Sequence, residues 1–378
     1  MALPSTSLAP ALHLEYDGRT HLFILADFNT TAINGEQNNT NGSQCNSDDP
    51  HFWHTSVLPV YILLVAVLGI VLNVFVLGVF CLHKKSCTVA EIYLSNIAAA
   101  DLILMSCLPF WAVNAANKFN WPFSYHLCRL VNFSINMNAY SSIYFLVLIS
   151  IDRRMALTEP LSHKGISRPK YAKLGCVLVW GFGLLLSVPT LVFREVKYFR
   201  EMQSNICHMA FRNVTERAVF DVMQFTFGFI IPLFIIFYCT IQILQALNNR
   251  IFEGLNTQKK EQKATTLVLA VLLAFVICWM PFHVTKILRL LKEVKALTGC
   301  SLEYALNICS HVFMYLAFFN SVLNPILYVI VGQQFRQKVR GLFKQLRSTR
   351  KSSVNISCTN STRMSSVRPQ LFVLKDLS

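Results

Sequence analysis

One acidic residue lies deep inside an uncharged stretch of this sequence. Asp101, in "EIYLSNIAAADLIL", is the only acid deep within any long apolar block of the chain. Burying an unpaired carboxylate is unfavourable, so this residue indicates either a protonated, hydrogen-bonded structural Asp or a cation site. Side-chain oxygens in other blocks are hard ligands that suit Na⁺ better than a transition metal. The predicted sodium site consists of Asp101, Asn138, Ser142, Asn320 and Asn324.

A cluster of charges follows a long uncharged run in "ISIDRRMAL". No Asp, Glu, Lys, Arg or His lies from Leu130 to Ile151, and then Asp152, Arg153 and Arg154 follow together. Such charges are expected where an apolar helix leaves the membrane, and Asp152 can neutralise Arg153 locally. Taken alone, the cluster is consistent with ordinary interfacial charge.

Long apolar blocks must position these residues. Hydrophobic residues make up 54% of the chain and charged residues 14%, whereas soluble domains carry about 25% charged residues. About 20 apolar residues cross a bilayer, and in lipid each such block must be helical to satisfy its own backbone. The absence of period-two alternation disfavours a β-barrel. The predicted fold is an all-α membrane protein, a seven-transmembrane helix bundle with spans at 56–82, 91–114, 128–151, 172–193, 219–247, 264–285 and 304–331.

The charge distribution predicts orientation. The net charge is +15, which in a soluble protein would suggest a nucleic acid partner. Here the first 50 residues hold one Lys or Arg and six acids, while the last 47 hold ten and one. Basic residues concentrate on the cytoplasmic side of membrane proteins. We therefore expect a multi-pass plasma-membrane protein with its amino terminus outside, its carboxyl terminus in the cytosol and no nucleic acid partner. The loop around 286–295 breaks this rule with four basic residues.

Four regions follow from these patterns. Residues 1–55 form an extracellular glycosylated tail, 56–331 the bundle, 332–347 an amphipathic helix on the membrane lipid, and 348–378 a disordered Ser/Thr-rich cytosolic tail. Predicted glycosylation sites are Asn29, Asn38, Asn41 and, in an outward loop, Asn213. Predicted phosphorylation sites are Ser352, Ser353, Ser357, Thr359, Ser361, Thr362, Ser365 and Ser366.

Four of the 12 cysteines lie on the predicted outer side, namely Cys45, Cys128, Cys207 and Cys300. Four cysteines allow three pairings. The pairing that we favour joins Cys128 at the top of the third span to Cys207 in the long outer loop. Cys45 and Cys300 are then the remaining pair.

Short motifs occur in order across the seven spans: Asn73 in "GIVLN", Asp101 in "AAADL", "DRR" at 152–154, Trp180, Pro232, "CWMP" at 278–281 and "NPILY" at 324–328. Over about 57–347 the chain resembles the rhodopsin-like G-protein-coupled receptors. The resemblance implies coupling to a heterotrimeric G protein and regulation by receptor kinases and arrestin. No cofactor is predicted apart from Na⁺ as an allosteric ion. The resemblance also implies an activation switch at Asp152, Arg153, Glu261, Trp279, Pro281, Asn324 and Tyr328.

Two residues depart from that family's pattern. Arg154 and Thr240 stand where the family usually has tyrosines. We expect both changes to affect the stability of the receptor's active state and not its membership of the family. Retinal and monoamine ligands are excluded, because 303–331 contains no Lys and the position that matches the amine-binding Asp is Ile135.

Within this family the chain resembles the kinin (bradykinin) receptors, the type-2 subtype most. "SCTVAEIYLSNIAAADLILMSCLPFWAVN", "LCRLVNFSINMNAYSS", "KLGCVLVWGFGLLLSVPTLVFR" and "LNPILYVIVGQQFR" carry the similarity. It implies a kinin-type peptide ligand and signalling through Gq/11, phospholipase C and calcium. One alternative is a chemokine- or angiotensin-like peptide receptor. The other is an ion-coupled transporter using Asp101, although the halves of the chain show no internal repeat. No enzyme motif is present, so we predict that the chain is not an enzyme.

The predicted ligand-binding residues form one set: Phe110, Trp111, Asn132, Ile135, Arg194, Asp221, Gln224, Trp279, His283, Arg289 and Asn307. Kinin receptors generally carry acids at the positions that match Arg289 and Asn307, and a further one near Arg217. We therefore hypothesise that a basic rim selects a peptide with an altered or more acidic end. The alternative is a solvated charged face.

Overall fold

The computed structural model describes residues 56–82, 87–158, 169–200, 202–249, 255–293, 300–333, 335–345 and 347. Within these ranges, seven helical segments are long and apolar enough to cross a membrane, which confirms the predicted seven-span bundle. Four helices form spans one to four: α1 (Leu58–Leu82), α2 (Val89–Ala116), α3 (Tyr125–Thr158) and α4 (Pro169–Phe193). Span five combines α5 (Val214–Phe225) and α6 (Ile231–Asn249), and spans six and seven are α7 (Leu255–Glu293) and α8 (Cys300–Ile330).

Some helices are longer than the apolar blocks from which they were predicted. The third block ends at Ile151, whereas α3 continues to Thr158 and includes the charged residues Asp152 to Arg154. Hydropathy marks only the part of a helix that lies in lipid, while the backbone hydrogen bonds continue beyond it. The charge cluster therefore lies on a regular helix.

Span five contains an irregularity that the sequence analysis did not predict. A π-helical turn, Thr226–Ile230, joins α5 to α6 just before Pro232. Proline has no N–H to give to the helical hydrogen-bond ladder, and a π turn is one way to accommodate the interruption. The hydroxyl of Tyr144 in span three donates to the carbonyl of Phe227, 2.9 Å away. A side chain from a neighbouring span thus satisfies this carbonyl within the turn.

Span three is the central helix and contacts spans two, four and five. Polar contacts connect other spans. The side-chain amide of Asn73 donates to the carbonyls of Gly69 and Ser321, at 2.9 and 3.1 Å, which joins span one to span seven. The ring N–H of Trp180 donates to Asn96, 2.9 Å away, which joins span four to span two. These buried hydrogen bonds align helices whose outer faces are apolar.

A β-hairpin covers one end of the bundle. Strands β1 (Arg194–Phe199) and β2 (Ser204–Met209) pair antiparallel, and Val196 lies opposite Cys207. The Cys128–Cys207 disulfide ties the hairpin to the start of span three, which confirms the favoured pairing. The side chains of Cys45 and Cys300 lie outside the described residues. The sequence analysis predicted an outer loop here and missed the hairpin.

A short helix, α9 (335–345), follows span seven after a sharp turn at Gly332. A Cβ atom at Gly332 would lie 2.4 Å from the carbonyl oxygen of Tyr328, so this turn requires glycine. The ring of Phe335 is buried against the rings of Phe80 and Tyr328, at 5.5 and 6.3 Å between centroids. Phe343 is exposed on the same helix. The helix falls inside the segment 332–347 that we predict to lie along the membrane.

An ion pair fixes α9 to the start of span two. Thr88 caps α2 and its backbone N–H donates to the carboxylate of Glu91, 2.8 Å away. Lys338 of α9 donates to the same carboxylate oxygen at 2.8 Å, and both side chains are largely buried. Removing one partner of a buried pair leaves an uncompensated charge, whereas replacing both partners is far less damaging.

We therefore expect Lys338→Met to destabilise the protein by about 3 kcal/mol. The double variant Glu91→Gln/Lys338→Met should recover most of that loss. The measurement is the apparent melting temperature of the detergent-solubilised protein. A single variant as stable as the wild type, or a double variant no better than the single one, would contradict the assigned role of the pair.

Candidate functional site

A cavity of about 250 Å³ lies under the hairpin, between spans three, five, six and seven. Nine of the eleven predicted ligand-binding residues line it: Trp111, Asn132, Ile135, Arg194, Asp221, Gln224, Trp279, His283 and Arg289. The structure places Phe110 elsewhere, against Phe123 at 5.3 Å, in the apolar cluster around the disulfide. The side chain of Asn307 lies outside the described residues.

Aromatic rings of span six form the deep wall of the cavity. Trp279 stacks on Phe275 at 5.8 Å and meets Phe282 and His283 at 5.9 and 6.1 Å. The ring N–H of Trp279 is buried and has no hydrogen-bond partner. Because Pro281 follows two residues later in the same helix, a ligand that contacts Trp279 would act next to the weakest point of the helical ladder.

A chain of hydrogen bonds crosses the cavity from span three to span six. Gln224 donates to the side-chain oxygen of Asn136, 2.5 Å away, and accepts from Lys286. Lys286 also donates to Asp221 at 3.1 Å. The sequence analysis missed Asn136 and Lys286 as site residues. One sign of Lys286 was present in the sequence: it belongs to the loop around 286–295, whose four basic residues are unexpected on the outer side of the membrane.

The cavity is basic. Its lining includes four side chains with fixed positive charge, Arg194, Arg217, Lys286 and Arg289, and among the described lining residues one carboxylate, Asp221. Arg217 and Lys286 lie on either side of that carboxylate, at 3.7 and 3.1 Å. Asp221 was predicted to contact the ligand, but in the structure it is already paired with two cations.

Arg289 extends from span six towards span seven. Its guanidinium donates to the hydroxyl of Ser310 at 2.7 Å and to the carbonyl of Leu306 at 3.2 Å. Lys286, three residues earlier, also lines the cavity, but its ammonium is directed to Asp221 and Gln224 of span five.

The hairpin supplies the roof of the cavity. Arg194 donates to the carbonyl of Cys207 at 3.1 Å, and its Nε is buried without a hydrogen-bond partner. Burial lowers the pKa of the Arg194 guanidinium to about 10, so it stays charged at neutral pH. Burial also lowers the pKa of His208, although Glu195, 3.6 Å away, opposes that shift. A charged arginine with an unused donor is suited to a ligand carboxylate.

Asp101 lies in the middle of the bundle and is fully buried. Its carboxylate accepts hydrogen bonds from Asn138 at 3.0 Å, Ser321 at 2.7 Å and Asn324 at 3.1 Å. Ser142 accepts from Asn138 at 3.4 Å. The structure thus brings together four of the five predicted sodium ligands and adds Ser321, which the sequence analysis missed.

The donor set suits a hard cation. The side-chain oxygen of Asn324 is buried without a hydrogen-bond partner, and oxygen is the ligand that Na⁺ prefers. Asn320 is buried too, but none of the hydrogen bonds described at Asp101 involves it. No group of three His, Cys, Asp or Glu residues in the described part of the chain could hold a transition metal. These residues fit a sodium ion.

Two residues of the predicted switch, Asp152 and Arg153, lie at the other end of span three. Arg153 and Asp152 form an ion pair at 2.9 Å. The guanidinium of Arg154 lies 5.7 Å from the centre of the Tyr238 ring, which is within the range of a cation–π contact. Tyr328 is buried and its hydroxyl has no hydrogen-bond partner. The side chain of Glu261 lies outside the described residues.

The predicted modification sites fall mostly beyond the described residues, including Asn29, Asn38, Asn41 and all the serines and threonines of the tail. Asn213 is described and exposed. It caps the start of α5, and its side-chain oxygen accepts from the backbone of Glu216 at 2.8 Å.

Comparisons with known proteins assign this chain to a family. The profile of the family "7 transmembrane receptor (rhodopsin family)" matches residues 72–328. The B2 bradykinin receptor of Oryctolagus cuniculus is 44% identical over 83% of this chain and 85% of its own length. The human B2 bradykinin receptor is 43% identical over 76% and 74%, and the human B1 bradykinin receptor 37% identical over 85% and 91%.

These matches cover most of the chain and both of its candidate sites. They confirm the predicted family, and with it the predictions of a multi-pass membrane protein and of a receptor that is not an enzyme. The chain belongs to the bradykinin receptors, within the rhodopsin family of seven-transmembrane receptors.

Proposed function

We propose that this chain is a plasma-membrane receptor for a kinin-type peptide. In this proposal the amino terminus and hairpin are extracellular, and the opposite end of the bundle couples to a heterotrimeric G protein of the Gq/11 class, which activates phospholipase C and raises calcium. The observation that carries the proposal is the cavity under the hairpin, lined by nine residues predicted to bind the ligand, in a chain of the bradykinin receptor family.

The cavity offers a peptide two kinds of contact. Trp111, Trp279 and Phe282 provide apolar area for ring or aliphatic side chains. Arg194 provides a charged donor for a peptide carboxylate. Asn136, Gln224 and Lys286 form a chain of hydrogen bonds with one another. Polar groups of a peptide can form hydrogen bonds with these side chains in place of their mutual ones.

Ligand contact with this cavity is coupled to the far end of the bundle through span six. A peptide that packs better against Trp279 in one bend of the helix favours that bend, because a ligand stabilises the state it binds more tightly. At the opposite end, Arg153 is held by Asp152 in the described state. In this proposal Arg153 also pairs with Glu261 in the inactive state, and release of Arg153 from both carboxylates opens a cavity for the G protein.

The residues around Asp101 provide a second site for regulation. Sodium bound by these oxygens would add a positive charge that stabilises the buried carboxylate. The side chains of spans two, three and seven hold the site together through Asp101, Asn138 and Asn324. A state in which these spans move apart loses the site, so Na⁺ binding favours the closed arrangement and opposes agonist binding.

The carboxyl-terminal tail is proposed as the site of deactivation. Phosphorylation at Ser352, Ser353, Ser357, Thr359 and the later serines and threonines would place negative patches on a basic segment. Receptor kinases would add these groups and arrestin would bind them. The helix α9, with Phe343 exposed, is proposed to lie on membrane lipid.

Bradykinin applied to cells that express this chain should raise intracellular calcium, and an inhibitor of phospholipase C should abolish the rise. Arg153→Gln should reach the surface yet remain silent, since it lacks the charge that the switch needs. Fluorescence of a calcium indicator is the readout, with surface labelling as control. Silence to bradykinin and to its shortened forms at normal surface expression would disprove the kinin ligand, and a rise that survives the inhibitor would disprove the Gq/11 pathway.

Sodium should weaken agonist binding to the wild type about fivefold when NaCl replaces choline chloride at equal ionic strength. Asp101→Asn should remove this difference, because the variant keeps the size of the side chain and loses its charge. Competition binding of bradykinin to membranes measures both. An equal sodium effect in the wild type and the variant would exclude Asp101 as the ion's ligand.

A further inference from the structure

The first strand of the hairpin begins with a backbone carbonyl that points away from its partner strand. The backbone N–H of Ala210 donates to the carbonyl of Phe193 at 2.7 Å, so these two residues form a hydrogen-bonded pair at the start of the ladder. In an antiparallel ladder such pairs alternate with pairs whose N–H and C=O groups point outwards. Arg194, opposite Met209, is of the second kind. Its carbonyl therefore needs a partner outside the hairpin.

Arg129, near the start of span three, supplies that partner. Its Nε donates to the carbonyl of Arg194 at 2.8 Å. Its guanidinium lies 4.2 Å from the centre of the Tyr125 ring, one helical turn earlier, which is a cation–π contact. These two contacts fix the direction of the side chain. Arg129 is not among the residues that line the cavity, so its contact is with the hairpin and not with a ligand.

The bond from Arg129 closes a ring of contacts around Arg194. The guanidinium of Arg194 donates to the carbonyl of Cys207 at 3.1 Å, and the disulfide joins Cys207 to Cys128. Cys128 directly precedes Arg129, which returns to Arg194 through its carbonyl. Arg194 is thus tied to one turn of span three through both its side chain and its backbone. Without the bond from Arg129, the ring is open at the backbone of Arg194.

The position of Arg194 matters because one of its donors is available to a ligand. Arg194 lines the cavity, and its Nε is buried without a hydrogen-bond partner. A guanidinium binds a carboxylate more tightly when it is already held in the geometry of the complex, because less freedom is lost on binding. A shift of β1 would move this donor relative to the other side chains of the cavity.

We propose that Arg129 is a positioning residue of the peptide site, which holds the backbone of Arg194 so that its guanidinium binds a carboxylate of the ligand. The inference rests on the proposed function, in which Arg194 contacts a peptide carboxylate. It deepens that function by naming a residue that acts on ligand affinity without touching the ligand. The hydrogen bond from Nε performs this role, and the charge of Arg129 does not.

Two substitutions separate the hydrogen bond from the charge. Arg129→Gln places an amide N–H as many bonds from the backbone as Nε and removes the charge, whereas Arg129→Met has the same length and no donor. Both are compared with Arg194→Gln and with the double variant Arg129→Met/Arg194→Gln. Lys197→Met is the matched control, because Lys197 is an exposed cation of the hairpin outside the cavity lining.

The readout is the calcium potency of bradykinin and of its carboxyl-terminal amide, with surface labelling of every variant. Arg129→Met should lower the potency of the acid about tenfold and spare the amide, because only the acid carries the carboxylate that Arg194 binds. Arg129→Gln should restore the acid to within about threefold of the wild type, and Lys197→Met should shift neither peptide by more than that. In the double variant, Arg129→Met should add no loss to that of Arg194→Gln, since the two residues act as one unit.

Competition binding to whole-cell membranes gives the same comparison for a variant that stays inside the cell. An Arg129→Met variant with wild-type affinity, or with equal losses for acid and amide, would overturn the inference. Equal losses in Arg129→Gln and Arg129→Met would assign the effect to charge and overturn it too.

The pairing of the two arginines is tested separately. A further loss in the double variant, or an Arg194→Gln variant that binds the acid like the wild type, would mean that Arg129 does not act through Arg194. All these results leave the receptor function intact. Silence of the wild type to both peptides, with the receptor at the surface, would instead overturn the proposed peptide function and the inference with it.

Discussion

Buried polar groups must find partners inside an otherwise apolar bundle, and Asp101 shows how this constraint organises the structure. Its carboxylate is fully buried and accepts three hydrogen bonds from spans three and seven. A second contact, from Asn73 to the carbonyl of Ser321, brings span one to the same place. An unpaired carboxylate there would be strongly unfavourable. Asp101 and its donors thus join spans two, three and seven, and Asn73 adds span one through the backbone of Ser321.

Different interactions stabilise the two ends of the bundle. At one end a disulfide fixes the hairpin to span three, and Arg194 of the hairpin lies over the cavity. At the same end, Asp221 of span five is shared by two cations. At the other end the pair of Arg153 with Asp152 is local to one helix. A ligand that changes charge or packing in the cavity can thus bias the bundle towards one of its arrangements.

The sequence predicted what depends on composition and local pattern. Seven apolar blocks predicted seven spans. The polar residues inside those blocks predicted a shared site for Asp101, Asn138 and Asn324. The sequence did not predict contacts between distant segments, because packing in the folded bundle determines which of their side chains meet. Lys286 with Gln224, Tyr144 with the π turn, and Lys338 with Glu91 are of this kind. The hairpin was missed because its strands are short and carry little alternation. Phe110 was predicted as a ligand contact together with Trp111, but the two side chains point in different directions, as adjacent residues of a helix do, and Phe110 packs in the cluster around the disulfide.

Photo-crosslinking tests most directly the central claim that a kinin-type peptide binds in the cavity under the hairpin. Bradykinin analogues carrying a benzophenone side chain at successive positions are irradiated on receptor-bearing membranes, and the attachment sites are mapped by mass spectrometry. Attachment is expected at cavity-lining residues, with Met209 of the hairpin and Met314 of span seven as the reactive side chains. Specific attachment only outside that lining, for example at the Phe110 and Phe123 cluster, would contradict the claim.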